Sequence, residues 1–156
     1  MKMTKILNHL EESTNTAKSK QTLTKVILIS VYLLIWAISI IAFWFFTAPS
    51  DAMGYSLLYL WLIQPASIFT VSIISGIKNC FGKFSCVLPL IAGVMYMLCE
   101  YATFSMANNV YAGRINVPNF EMLLGGAVVS AVGLVLGLII HKIGKRKAEK
   151  AFNPKK

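Results

Sequence analysis

The sequence predicts an all-α, polytopic membrane protein whose four transmembrane helices form a compact bundle with both termini in the cytoplasm. The prediction depends on four long apolar runs, on a low content of charge, and on basic residues confined to particular segments between the runs. Of the 156 residues, 56% are hydrophobic and 13% are charged, whereas soluble domains average about 45–50% and about 25%. This composition excludes an ordinary water-soluble domain and a disordered chain.

The four runs have the length that a membrane requires. A helix needs about 20 mostly apolar residues to cross a hydrocarbon core of about 30 Å. Runs of this kind cover residues 26–46, 54–77, 84–107 and 120–140, without the alternation typical of barrel strands. Because backbone polar groups in lipid must be satisfied within the segment, each run is predicted to be a helix. Residues 26–141 thus form the membrane domain, between a polar lead over residues 1–25 and a basic tail over residues 142–156.

The polar lead carries one short periodic pattern. Met3, Ile6, Leu7 and Leu10 have the spacing of one helix face, which predicts a short amphipathic helix on the membrane surface, with a frayed tail as the alternative. Residues 13–22 are mostly Ser, Thr, Asn, Gln and Lys, and this composition predicts a linker.

Local signals mark individual points in the later runs. Pro65 lies inside the second run, where its missing N–H leaves the carbonyl of Trp61 without a helical partner and predicts a kink. Asn119, directly before the fourth run, is predicted to be its N-cap, with Glu121 in the first turn.

The basic residues predict the orientation. All 15 Lys and Arg residues except Arg114 lie in residues 1–25, in residues 78–83 or in the tail. Positive residues collect in cytoplasmic loops, so both termini are predicted to lie inside a cell membrane. Because this topology accounts for the net charge of +9, nucleic acid is not an expected partner. A cluster in the tail is predicted to hold the last helix end inside, or to contact anionic lipid: Lys142, Lys145, Arg146 and Lys147.

Glu100 is the one ionisable residue well inside a run, and such a residue is a functional hypothesis by default. Counting from the helix ends places it in one layer, slightly outside the midplane, with Ser39, Gln64 and Ser130. Two interpretations stay open. In one, Glu100 is protonated and bonded by Gln64, Tyr96 or Thr103; in the other, it titrates and binds a proton, a cation or a basic substrate.

The fourth run carries a stripe of small residues at helical spacing: Gly126, Ser130, Gly133 and Gly137. Small residues let helix backbones approach in lipid. The stripe, together with the helix distorted at Pro65, predicts helix packing inside the bundle; a homodimer face is the alternative.

Catalytic patterns are missing from the predicted spans. His9 and His141 lie in or beside the tails, Glu100 is a single acid, and the three cysteines form no C-x-x-C pair. We therefore expect no enzyme, no metal and no cofactor. The predicted function is an accessory or interaction subunit, in contact with membrane lipid and with a homo-oligomer or a larger membrane-protein partner. A small proton- or cation-coupled transporter, working as an oligomer through Glu100, is the alternative.

Overall fold

The computed structural model describes residues 2–113 and 115–152, and all regular secondary structure within them is helical. Four helices are long and apolar enough to cross a membrane: Ser19–Phe46, Ala52–Ile77, Phe84–Ala112 and Phe120–Ala148. The prediction of an all-helical chain is confirmed, and so is the prediction of four helices whose length and apolar character suffice to span a membrane. Below, the ends of these helices near residues 47–51 and 113–119 are called upper, and the ends near residues 78–81 are called lower.

The first helix is continuous from Lys2 to Phe46, which are 45 residues or about 68 Å. The predicted linker over residues 13–22 is wrong. Neither Gly nor Pro interrupts this stretch, and the hydroxyl of Thr16 donates to the Glu12 carbonyl at 2.8 Å, as a Thr inside a helix does. The periodic residues of the lead lie in the same helix, but their side chains are outside the described part of the structure.

The second helix changes its register before Pro65. A short 3₁₀ turn at Pro49–Asp51 leads into α-helix over Ala52–Tyr55, π-helix over Ser56–Ile63 and α-helix again over Gln64–Ile77. The N–H of Gln64 bonds the carbonyl of Tyr59, five residues back. The distortion expected at Pro65 therefore takes the form of a π-helical stretch that ends just before it.

The third helix is distorted in a similar way near its middle. It follows a 3₁₀ turn at Gly82–Cys86 and consists of α-helix over Val87–Glu100, π-helix over Tyr101–Ser105 and α-helix over Met106–Ala112. Gly113, with φ +62°, ends it in the left-handed conformation that glycine adopts without strain.

The fourth helix runs from Phe120 to Phe152. Its predicted N-cap is confirmed, because the side-chain oxygen of Asn119 accepts a hydrogen bond from the Glu121 N–H at 2.9 Å.

The fourth helix packs backbone to backbone against two others. Toward its upper end, Gly126 lies against Gly93 and Tyr96 of the third helix. Toward its lower end, Gly137 lies against Gly76 of the second helix. The small-residue stripe thus faces neighbours within the chain, where the absence of side chains lets the helices approach.

The lower ends are joined by polar contacts. A ring nitrogen of His141 lies 2.7 Å from the carbonyl of Ile77, and the amide of Gln21 donates to the Asn79 carbonyl at 2.9 Å. Cys80 is buried beside this contact. Burial raises the pKa of the Cys80 thiol, an effect that the positive charges of nearby lysines partly oppose.

Replacement of Gly137 by Ala is expected to lower the free energy of unfolding by about 1–3 kcal/mol. A Cβ atom there would lie 2.9 Å from the Cα of Gly76, so the two backbones would have to separate. Gly144→Ala is the matched control, since nothing lies within 4 Å of its added Cβ. Unfolding in detergent measures both, and equal stability of the two variants would contradict the packing role of Gly137.

Candidate functional site

Two members of the predicted polar layer meet directly. The amide nitrogen of Gln64 donates to the hydroxyl of Ser39 at 3.1 Å, and both side chains are buried. The hydroxyl of Tyr55 donates to the carbonyl of Ser39 at 2.8 Å. These bonds tie the first helix to the second within the apolar part of the chain.

Ser130 is not in this layer. Its hydroxyl bonds that of Ser72 at 2.8 Å, and Ser72 lies two turns, or about 12 Å, further down the second helix than Gln64. The prediction of a common polar layer with Ser130 holds only if the upper ends of all four helices lie at the same depth. The contacts between the second and fourth helices place Phe120 about two turns below Ala52. Residues at equal distances from the upper ends of these two helices therefore lie at different depths.

The predicted partners of Glu100 are also wrong. The hydroxyl of Tyr96 donates to the Leu60 carbonyl at 2.8 Å. The hydroxyl of Thr103 donates to backbone carbonyls, at 2.8 Å to Cys99 and at 3.0 Å to Glu100. Gln64 bonds Ser39 instead of the carboxyl group.

Ser105 is the hydroxyl that reaches the Glu100 carboxyl group, at 3.1 Å from one oxygen and 3.3 Å from the other. The π-helical register over Tyr101–Ser105 explains this pairing, because it brings residues five apart onto one line of the helix. A sequence reading that assumes 3.6 residues per turn looks instead to positions three and four away, and so misses Ser105.

Glu100 opens into a cavity at the upper end of the fourth helix. The cavity has a volume of about 490 Å³. It lies between the third helix, the connecting segment and the first residue of the fourth helix, and its lining residues are Glu100, Ser105, Ile115, Asn116, Val117, Pro118, Asn119 and Phe120. Glu100 therefore lies beside the beginning of the fourth helix and lines an open cavity, half-buried, rather than sitting in a sealed interior.

The connecting segment is itself held in place. The side-chain oxygen of Asn109 accepts a hydrogen bond from the Asn116 N–H at 2.7 Å. With the Asn119 cap at the other end, this bond fixes the wall of the cavity opposite Glu100.

Three further polar groups of the first two helices are buried at separate heights. The side-chain oxygen of Gln64, the hydroxyl of Tyr32 and the hydroxyl of Ser75 are buried and have no hydrogen-bond partner among the described residues. Buried polar groups without partners are uncommon in proteins. The spacing of polar residues in the sequence did not indicate that Tyr32 and Ser75 would be buried polar groups of interest.

The indole groups of the first helix were also missed. The Nε1–H of Trp36 donates to the Met95 carbonyl, and that of Trp44 to the Ala102 carbonyl, each at 2.9 Å. Aromatic rings surround the second contact, in a cluster formed by Phe43, Trp44, Tyr55, Tyr59 and Phe104. The sequence did contain a signal for these two bonds. The indole N–H of a Trp inside an apolar run is a hydrogen-bond donor that needs an acceptor within the protein.

The basic cluster of the tail lies on the exposed surface of the fourth helix, below His141: Lys142, Lys145, Arg146 and Lys147. Its contact with anionic lipid stays a prediction. Within residues 2–113 and 115–152, no three His, Cys, Asp or Glu side chains are grouped closely enough to hold a metal ion.

Comparison of the chain with profiles of known protein families, with curated proteins and with solved structures finds no match in any of the three.

Ser39→Ala is expected to destabilise the chain by about 1 kcal/mol, because it leaves the buried amide of Gln64 without its partner. In a Gln64→Leu background the same change is expected to cost much less, since no amide remains to be satisfied. Unfolding of the four proteins of this cycle in mixed micelles measures the coupling. Ser30→Ala, at an exposed position of the same helix, is the control, and additive costs in the cycle would contradict the interaction.

Proposed function

We propose that this chain is a non-enzymatic membrane component, an accessory or interaction subunit that binds a larger membrane-protein partner through its first helix. The observation that carries the proposal is the unequal burial of the four spans. In the most apolar stretch of the first helix 11% of the residues are buried, against 28% in each of the other three. The first helix therefore leaves most of its surface uncovered by its own chain.

The hydrogen bonds of the interior polar groups support a structural role for these groups. Three of these side chains each form a hydrogen bond to another helix: Tyr55, Tyr96 and Gln64. Ser72 and Ser130 bond each other. These side chains hold the helices in register, as polar groups do inside membranes.

We place the lower ends, and with them both termini, on the cytoplasmic side of a cell membrane. This orientation follows from the confinement of all Lys and Arg residues except Arg114 to the lead, to residues 78–83 and to the tail. Arg114 itself lies outside the described residues.

A photo-crosslinking amino acid at Leu34 is expected to form one discrete protein adduct in native membranes. Leu34 is 62% exposed on the first helix. Leu124, 63% exposed on the fourth helix, is the matched control that is expected to give lipid adducts only. Protein adducts that are absent at Leu34, or identical at both positions, would exclude the first helix as the binding face.

Cysteine labelling tests the orientation. An impermeant maleimide applied to intact cells is expected to modify Ile115→Cys, at a position that is 93% exposed, but to modify Gly144→Cys only after lysis. Both variants are made in a Cys86→Ser background, because Cys86 is exposed. The Cys86→Ser chain alone is the control, since Cys80 and Cys99 are buried and the raised pKa of Cys80 lowers its fraction of reactive thiolate at neutral pH. Labelling of Gly144→Cys in intact cells would reverse the assignment.

A small proton- or cation-coupled transporter is the second candidate function, and the cavity beside Glu100 favours it. A carboxyl group in a cavity reached from one side of the membrane is the kind of group that could take up a proton or a cation there. Four helices enclose little volume, so this function requires an oligomer.

If the chain is a transporter, wild-type protein in liposomes is expected to carry protons or K⁺ down an imposed gradient, and Glu100→Gln to reduce the rate to that of empty liposomes. Glu121→Gln is the control, since Glu121 is exposed at the start of the fourth helix and does not line the cavity. Fluorescent indicators inside the liposomes record the flux. If the wild type and both variants carried ions no faster than empty liposomes, the transporter function would be excluded and the subunit proposal would stand.

A further inference from the structure

We propose that the cavity beside Glu100 binds an organic cation that donates N–H hydrogen bonds, namely a primary ammonium or a guanidinium group. The proposal deepens the second candidate function by naming the chemical class of the cation at Glu100. Binding itself requires neither transport nor a partner at the first helix, so saturable binding without flux would leave this proposal standing and exclude only the transporter.

The carboxyl group supplies the acceptor. A carboxylate has two oxygens with about four acceptor positions, and the hydroxyl of Ser105, shared between the two oxygens, is the one side-chain donor seen on Glu100 among the described residues. Because Glu100 is half-buried and lines the cavity, the remaining acceptor positions are accessible from it. Ammonium and guanidinium groups form charge-assisted hydrogen bonds with such an acceptor, and these are stronger than bonds between neutral groups.

The walls fit an organic ligand better than a bare metal ion. Ile115, Val117, Pro118 and Phe120 supply apolar surface, whereas Asn116 and Asn119 supply polar groups. Apolar walls with a few polar groups are typical of small-molecule sites. The cavity, of about 490 Å³, is widely open, so it admits a small cationic group at Glu100 without enclosing a whole ligand.

The charge of the upper segments favours a cation. Asp51, Glu100 and Glu121 lie in these parts of the chain, against the single basic residue Arg114. The upper segments therefore carry the opposite sign to the lower ones, and they would concentrate cations near the cavity.

The same ammonium chemistry has two sources. A soluble amine can enter from the aqueous side, and the headgroup of phosphatidylethanolamine can enter from the bilayer, because the cavity lies beside the first residue of a spanning helix. The test therefore uses membranes with and without this lipid.

The test measures binding of methylammonium, methylguanidinium and tetramethylammonium to the full chain in phosphatidylglycerol nanodiscs, by saturation-transfer NMR. We expect saturable binding of the first two probes and weaker binding of tetramethylammonium, which has no N–H donor. Glu100→Gln is expected to weaken binding by about 10-fold or more, as the loss of a charge-assisted acceptor does. Glu121→Gln is the matched control. Because Glu121 does not line the cavity, its loss removes only a long-range attraction and is expected to weaken binding much less than Glu100→Gln.

A second variant keeps the test informative if Glu100→Gln fails to fold. Asn116→Trp fills the cavity from the connecting segment, while its backbone N–H can still bond Asn109, and it is expected to abolish binding. Phosphatidylethanolamine in the nanodiscs identifies the source: a lower apparent affinity for the soluble probes supports a headgroup, and an unchanged affinity supports a soluble amine.

Two results would overturn the proposal. The first is the absence of saturable binding to the wild type. The second is equal binding of the probes to Glu100→Gln and Glu121→Gln, or equal binding of all three probes to the wild type.

Discussion

The close approach of the fourth helix to the second is the constraint on which the upper half of the molecule depends. Gly76 and Gly137 leave no side chain between the two backbones, and the Ser72–Ser130 bond fixes the same register one to two turns higher. With the lower ends level at Ile77 and His141, the shorter apolar stretch of the fourth helix begins about two turns below the start of the second. The connecting segment must descend to reach it, and this descent forms the cavity in which Glu100 lies.

The first helix is attached by a different kind of contact. Its bonds to the third helix run from two indole groups to backbone carbonyls, and its bonds to the second helix run through Ser39. In lipid there is no hydrophobic force between helices, so a few directional bonds of this kind can hold a helix without covering much of its surface. This explains how the first helix is oriented by its own chain although most of its surface stays uncovered by that chain.

The two π-helical stretches place polar groups that an ideal helix would place elsewhere. The stretch before Pro65 accommodates the missing N–H of the proline and presents the carbonyl of Leu60 to Tyr96. The stretch at Tyr101–Ser105 brings Ser105 onto Glu100. Both distortions therefore decide which polar groups meet.

The sequence by itself determined that the chain is helical, that four of its helices can span a membrane, that Asn119 caps the last of them and that Glu100 is the acid inside a span. These properties follow from apolar length, local capping and composition, which act within one segment. Only the tertiary structure decided that Ser39 meets Gln64, that Ser130 meets Ser72 instead, and that Glu100 opens into a cavity with Ser105. The physical reason is that the relative heights of helices depend on contacts between segments far apart in the chain, and that a π-helical turn changes which residues share a face.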